Sequence, residues 1–182
     1  MTRPDPKTRL KKCYNLNMDQ PERKSLRLIN YDYTTANCYF VTICIDKREN
    51  ILGTMNNQAE LSPSRYGQIV NHWWQSLPNR FPTIALDTFI IMPDHVHGII
   101  FINPVGAGHD PPATLGQIVG YFKMNSAKEI NLLRDQINSA FWQRNYFEHI
   151  IRNDQDLQKT REYITTNPLR WTLDNEHQTG GS

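Results

Sequence analysis

The chain has 182 residues, 38% of them hydrophobic and 21% charged, enough for one domain with a substantial core and too few for two of ordinary size. Its longest apolar runs, such as residues 98–102, fall far short of the roughly 18 residues that cross a bilayer, and its first six residues lack the apolar core of a secretion signal. No membrane partner and a cytoplasmic location are therefore expected. The net charge of +2 hides an asymmetry: residues 1–30 hold eight Lys/Arg against three acids, whereas the rest of the chain sums to −3. A basic arm ahead of a weakly acidic body is suited to gripping phosphates, which release counterions on contact; a merely solvated tail has the same composition. Cys13, Cys38 and Cys44 form neither an even set nor a Cys-x-x-Cys pair, so three free thiols are expected rather than a disulfide framework or a zinc ribbon.

After the arm, residues 39–45 read as a β-branched and aromatic strand, apolar on both faces and hence central in a sheet. A loop with Lys47, Arg48, Glu49 and Asn50 follows. Ser62 and Pro63 predict an N-cap with proline at the first helical position, and Ile69, Val70, Trp73, Trp74 and Leu77 recur at helical spacing until Pro78 ends the segment. Residues 84–91 and 95–102 are strand-like and joined only by Met92, Pro93 and Asp94, a connection short enough for an antiparallel hairpin. Residues 103–113, rich in Pro and Gly, read as a loop. Thr114 then caps a second helix that carries Leu115, Ile118, Val119 and Phe122 and reaches toward Leu133. Residues 134–140 have no distinct pattern, and 141–151 read as one or two short strands. Asn153 opens a final helix that Pro168 must end. This order predicts an α+β fold, a ferredoxin-like antiparallel sheet with helices packed on it and an extra C-terminal helix. The expected organisation is a basic arm at 1–30, one domain over 31–171 and a tail over 172–182.

Two of the six histidines stand out by spacing. Residues i and i+2 of a strand face the same side about 6–7 Å apart, so His95 and His97 can share one divalent cation while Val96 points the other way. A half-buried strand face can carry the same pair for structural reasons alone. On the final helix, Tyr163 and Asn167 lie four residues apart and so on one face, about a turn from each other. If that face opposes the histidines, Asn167 adds a neutral oxygen to two imidazole nitrogens and leaves positions for phosphate oxygens and water. Mg²⁺ or Mn²⁺ suits such an open site better than a closed structural zinc. The bland alternative is a half-buried tyrosine and an asparagine that closes the helix before Pro168.

Three blocks occur in order: Met-Pro-Asp-His-Val-His-Gly at 92–98, Trp-Gln-Arg-Asn-Tyr-Phe-Glu-His-Ile-Ile-Arg at 142–152, and Glu-Tyr-Ile-Thr-Thr-Asn-Pro-Leu-Arg at 162–170. Together they resemble the single-tyrosine HUH (IS200-like) transposases, and most of all their REP-associated tyrosine transposase branch. Residues 23–28, 31–33 and 39–44 are similar to that branch as well, so the likeness covers roughly residues 22–171. The resemblance implies that His95, His97 and Asn167 bind a divalent metal and that Tyr163, on the last helix, is the nucleophile, with His95 and His97 in the catalytic set. It also implies cleavage of single-stranded DNA at or near a REP-like hairpin through a 5′-phosphotyrosine, with strand joining as the reverse step. The location expected on this basis is the cytoplasm, at the nucleoid.

No second tyrosine lies three or four residues from Tyr163, which speaks against a two-tyrosine relative. Tyr146 is a rival nucleophile within a strand-like block, and His149 beside it reads as a structural histidine. Candidate DNA contacts are Arg23, Lys24 and Arg27 in the arm and Arg144 in the second block; Lys123, Lys128 and Arg152 are weaker ones. One alternative is a non-catalytic DNA-hairpin-binding module on the same fold. Another, an RNA-binding ferredoxin-like domain, lacks a clear stacking-aromatic pattern. Monomer or dimer, with Tyr163 acting in cis or in trans, stays open.

Overall fold

The computed structural model describes residues 37–103, 113–137 and 139–179, the last six of these without their side chains. Strand β1 (Asn37–Cys44) is apolar on both faces because it has a layer on each side. Tyr39, Val41 and Ile43 point into one hydrophobic cluster, while Cys38 and Phe40 point into another. It is an inner strand: the sheet order is β4 (Ile84–Met92), β5 (His95–Ile102), β1, β6 (Phe147–Ile151), and every neighbouring pair is antiparallel. This is the expected ferredoxin-like arrangement.

On the first face lie α1 (Arg65–Gln75), the short α2 (Leu77–Arg80) and α3 (Leu115–Leu133). Their Val70, Trp74, Ile118 and Phe122 bury against Val41, Val96 and Ile100. The opposite face is covered by α4 (Asp154–Thr179), whose Tyr163 and Ile164 meet Phe40, Ile99 and Ile151. Two polar ties hold α4 down. Arg161 reaches Asp87 with Nε and Nη2, at 2.9 and 2.6 Å, and His149 hydrogen-bonds Asp156 at 3.0 Å. Asp87 sits where the β4–β5 register shifts between Leu86 and Phe89.

Thr114 caps α3 as expected, in a reciprocal capping box with Gln117. Elsewhere the boundaries differ from the sequence reading. The cap of α1 is Ser64, whose Oγ accepts from the Tyr66 and Gly67 N–H groups, whereas Ser62 and Pro63 belong to β3 (Leu61–Pro63), hairpinned to β2 (Gly53–Met55). Of residues 141–151 only Phe147–Ile151 is a named strand, and Trp142 makes an isolated bridge to Ile45. Pro168 does not end α4. Proline's fixed φ is helical, and its cost inside a helix is the lost hydrogen bond to the carbonyl four residues back together with the crowding of its ring against that carbonyl. The helix continues for three further turns beyond Pro168. Cys38 is a buried free thiol, but Cys44 is disulfide-bonded, which corrects the expectation of three free thiols. Spacing along the chain carries no information about which distant cysteine a fold brings near. No helix among the described residues is long and apolar enough to cross a membrane.

Candidate active site

The turn at Pro93 and Asp94 aims the histidines. It is pinned from two sides, because the Leu52 N–H donates to the Pro93 carbonyl at 3.0 Å and the Ile45 N–H donates to the Asp94 carbonyl at 2.9 Å. Strand β5 starts at once, paired Cys44↔His95 and Thr42↔His97 with β1. Strand alternation sends Val96 into the α1/α3 core and both imidazoles to the α4 side. Gly98 continues the core-side row, and there a Cβ would come within 2.2 Å of the Trp74 ring.

The two imidazoles converge. Their Nε2 atoms are 3.0 Å apart, and each Nδ1 is held from outside: His95 by Asp94 Oδ1 at 2.6 Å, His97 by Thr42 Oγ1 at 2.8 Å. The other oxygen of Asp94 receives Arg48 Nε at 2.5 Å. Arg48 reaches it from a turn in which Lys47 and Arg48 both hold positive φ, 59° and 58°. Such backbone is costly for non-glycine residues and persists where surrounding contacts over-determine it. The chain Arg48–Asp94–His95 thus fixes the tautomer: a carboxylate only accepts, so His95 Nδ1 donates and its Nε2 presents a lone pair.

Tyr163 and Asn167 project from α4 onto this pair. The Tyr163 ring centre is 5.4 Å from that of His97 and 5.9 Å from that of Phe40, which itself stacks on His97 at 5.5 Å. The Asn167 amide is within hydrogen-bonding reach of both His97 and Tyr163. Because α4 passes through Pro168, two more residues arrive that the sequence reading did not single out. Arg170 places its guanidinium carbon 5.5 Å from the Tyr163 ring centre, and Trp171 lies 5.8 Å from His95. Periodicity alone could have found Arg170, which is seven residues after Tyr163 and so on the same helical face.

Burial lowers the pKa of both histidines, in His95 against the pull of Asp94 and in His97 with help from the neighbouring His95. Both imidazoles are accordingly neutral near pH 7, the form that ligates metals. Burial raises the pKa of Tyr163; the charge of Arg170 and the Asn167 hydrogen bond oppose that rise. The phenol is therefore protonated at neutral pH and a weak nucleophile unless assisted.

The donor set fits a divalent cation. Two converging Nε2 atoms 3.0 Å apart cannot both present lone pairs to each other at no cost; either a proton or a shared cation lies between them. Thr42 serves both cases, since its hydroxyl can donate to His97 Nδ1 or accept from it. Among the described residues no group of three or more His, Cys, Asp or Glu side chains is placed to hold a metal ion, so the further protein donor at hand is the neutral Asn167 oxygen. Two nitrogens and one oxygen leave coordination positions open.

Among the other sequence candidates, Tyr146 is buried in the α1/α3-side cluster with Trp142, across the sheet from the histidines. His149 is engaged with Asp156. Lys123 donates to the Gln143 and Arg144 carbonyls at 2.7 and 2.9 Å. Arg144 is exposed at the histidine end of the sheet, where the adjacent Gln143 N–H meets the Cys44 carbonyl. Arg23, Lys24 and Arg27 lie outside the described residues.

Residues 40–167 match the family model described as "Transposase IS200 like". An uncharacterized protein of Haemophilus influenzae is 34% identical over 167 residues, spanning 84% of this chain and 91% of its own length. A second protein of that organism is 28% identical over 148 residues, 76% of this chain and 74% of its own; its assignment as a REP-associated tyrosine transposase is itself provisional. Among solved structures, a REP-associated tyrosine transposase bound to a REP hairpin superposes with a TM-score of 0.58 at 19% identity, over 79% of this chain and 73% of that one. The last likeness is one of fold.

Proposed function

The chain belongs to the IS200-like transposase family, and on that footing we propose that it is a metal-dependent single-stranded DNA endonuclease and strand transferase acting at or beside REP-like hairpins. The observation that carries this reading is the meeting of Tyr163, His97 and Asn167, the tyrosine ring 5.4 Å from the imidazole. Tyr163 attacks the scissile phosphorus through its phenol oxygen, the bond from phosphorus to the 3′-oxygen breaks, and the DNA is left as a 5′-phosphotyrosine with a free 3′-hydroxyl. The phenol proton passes to solvent and the departing oxygen takes one up. Strand joining is the same step reversed, and it needs no ATP because the tyrosyl linkage keeps the phosphodiester energy.

Each residue has a part in this scheme. His95 and His97, held by Asp94 and Thr42, would bind Mg²⁺ or Mn²⁺ together with Asn167. The bound cation would supply Lewis-acid stabilisation of charge on the phosphate and on the leaving oxygen. Asn167 steadies the Tyr163 hydroxyl by a hydrogen bond that favours its ionised form. Phe40 packs edge-on against the ring at 5.9 Å and so limits the orientations of its hydroxyl end. DNA contacts would come from Arg144 and, in the arm, from Arg23, Lys24 and Arg27.

The test mixes wild-type and Tyr163→Phe protein with labelled single strands carrying hairpins from the flanks of the gene, with Mn²⁺ or with EDTA. A covalent protein–DNA band that needs both Mn²⁺ and Tyr163 is expected on a denaturing gel. Cut but unattached DNA with both proteins would replace this reading by a water-using metallonuclease. Tight hairpin binding with no product would replace it by a non-catalytic binding module.

A further inference from the structure

Helix α4 carries one cation to the site that the scheme above leaves without a part. Arg170 is an exposed residue whose guanidinium carbon lies 5.5 Å from the centre of the buried Tyr163 ring, on the helical face that also carries Asn167. It makes no ion pair with any side chain that the structure describes. The contrast with Arg48 and Arg161 is direct, since each of those is spent on a carboxylate, Asp94 and Asp87. A cation kept over an aromatic face beside a cluster of neutral donors is available to an incoming anion.

From this placement we propose that Arg170 is the phosphate-binding residue of the site: it holds a non-bridging oxygen of the phosphate that Tyr163 attacks and keeps it after the phosphate is joined to the tyrosine. This rests on Tyr163 being the nucleophile. The geometry divides the phosphate between two sides, the His95, His97 and Asn167 donors toward the sheet and the guanidinium toward solvent. Arginine suits the outer position because it stays charged throughout and can bond two phosphate oxygens at once. The reaction adds charge to those oxygens in the five-coordinate transition state, so the contact strengthens when it matters. No proton is exchanged with Arg170. In the reverse step the same contact presents the phosphotyrosine to the attacking 3′-hydroxyl.

The test has two arms. In the first, wild-type, Arg170→Gln and Arg170→Lys proteins are compared with Mn²⁺ on one cleavable strand, and on the same strand with a neutral methylphosphonate at the scissile position. Arg170→Gln should slow covalent attachment about tenfold to a hundredfold on the phosphodiester but less than threefold on the methylphosphonate, with Arg170→Lys between. An equal slowing on both strands, or none on either, overturns the proposal. The second arm uses the non-reactive Tyr163→Phe protein and equilibrium binding of the downstream product strand. A 5′-phosphate should tighten binding relative to a 5′-hydroxyl, and adding Arg170→Gln should erase that difference. A persisting difference, or no difference at the outset, rejects Arg170 as a phosphate site. The first arm fails together with the nucleophile reading, whereas the second needs no chemistry and so separates the two.

Discussion

Asp94 is where positioning of the site can be weighed against simple structural support. Replacing it with Asn keeps the size and one oxygen that accepts from His95 Nδ1, but removes the charge that meets Arg48 Nε at 2.5 Å. Two effects should separate. The Asp94 side chain is 3% exposed and that of Arg48 17%. Orphaning one member of a fully buried pair costs about 3–5 kcal/mol; with Arg48 partly open to water, about 1–3 kcal/mol of stability is expected to go. Losing the outer carboxylate of a metal-binding histidine typically weakens metal affinity by about 10- to 100-fold, equal to about 1.4–2.7 kcal/mol. Urea unfolding in EDTA measures the first effect, and titration of the folded protein with Mn²⁺, followed by its electron paramagnetic signal, measures the second. Arg48→Met, which keeps the carboxylate, should lower stability similarly and weaken Mn²⁺ binding by less. A protein with Asp94→Asn that unfolds more easily yet binds Mn²⁺ within twofold of wild type would show that Asp94 only props up the turn.

Two further outcomes are expected from the fold. Gly98→Ala would drive a methyl to within 2.2 Å of Trp74, which is boxed in by Phe89 and Phe122 at ring distances of 4.5 and 5.4 Å. A loss of about 1–3 kcal/mol or more in urea unfolding should follow, and an unchanged midpoint would mean that β5 and α1 do not meet in this way. The Arg161 guanidinium holds the Asp87 carboxyl well below the usual carboxylate range. That stabilisation is complete above the unfolded pKa of about 4 and is lost as pH falls toward the lower folded value. Asp87→Asn should therefore destabilise the protein at pH 7 and lose its disadvantage progressively below pH 4, as read from denaturant midpoints across pH; a deficit that does not shrink in acid would contradict the pairing.

Much of the site was legible because its spacings are those of regular elements. His95 and His97 obey the two-residue period of a strand, and Tyr163 and Asn167 the four-residue return of a helix; the fold brings the two pairs together. Legibility failed where tertiary contacts overrode a local rule. Pro168 reads as a stop, and stopping there hides Arg170 and Trp171. The three-residue strands β2 and β3 are too short to show a period, so Ser62 and Pro63 resembled a helix start. The contact of Arg48 with Asp94 joins residues far apart in sequence through two positive φ angles, and nothing in the residue types foretells that. Tyr146 reads from the sequence as a rival to Tyr163 in a strand-like block; the structure puts the two on opposite faces of the sheet.

The most direct check on Tyr163 as nucleophile is to locate the attached nucleotide. After Mn²⁺-dependent reaction with a hairpin strand, the covalent product is digested with nuclease and trypsin and its peptides are weighed. Residues 162–170, bounded by Arg161 and Arg170, contain a single tyrosine, Tyr163, and this peptide is expected to carry the phosphonucleotide mass. An unmodified 162–170 peptide, with the added mass on residues 145–152 and hence on Tyr146, would contradict the assignment.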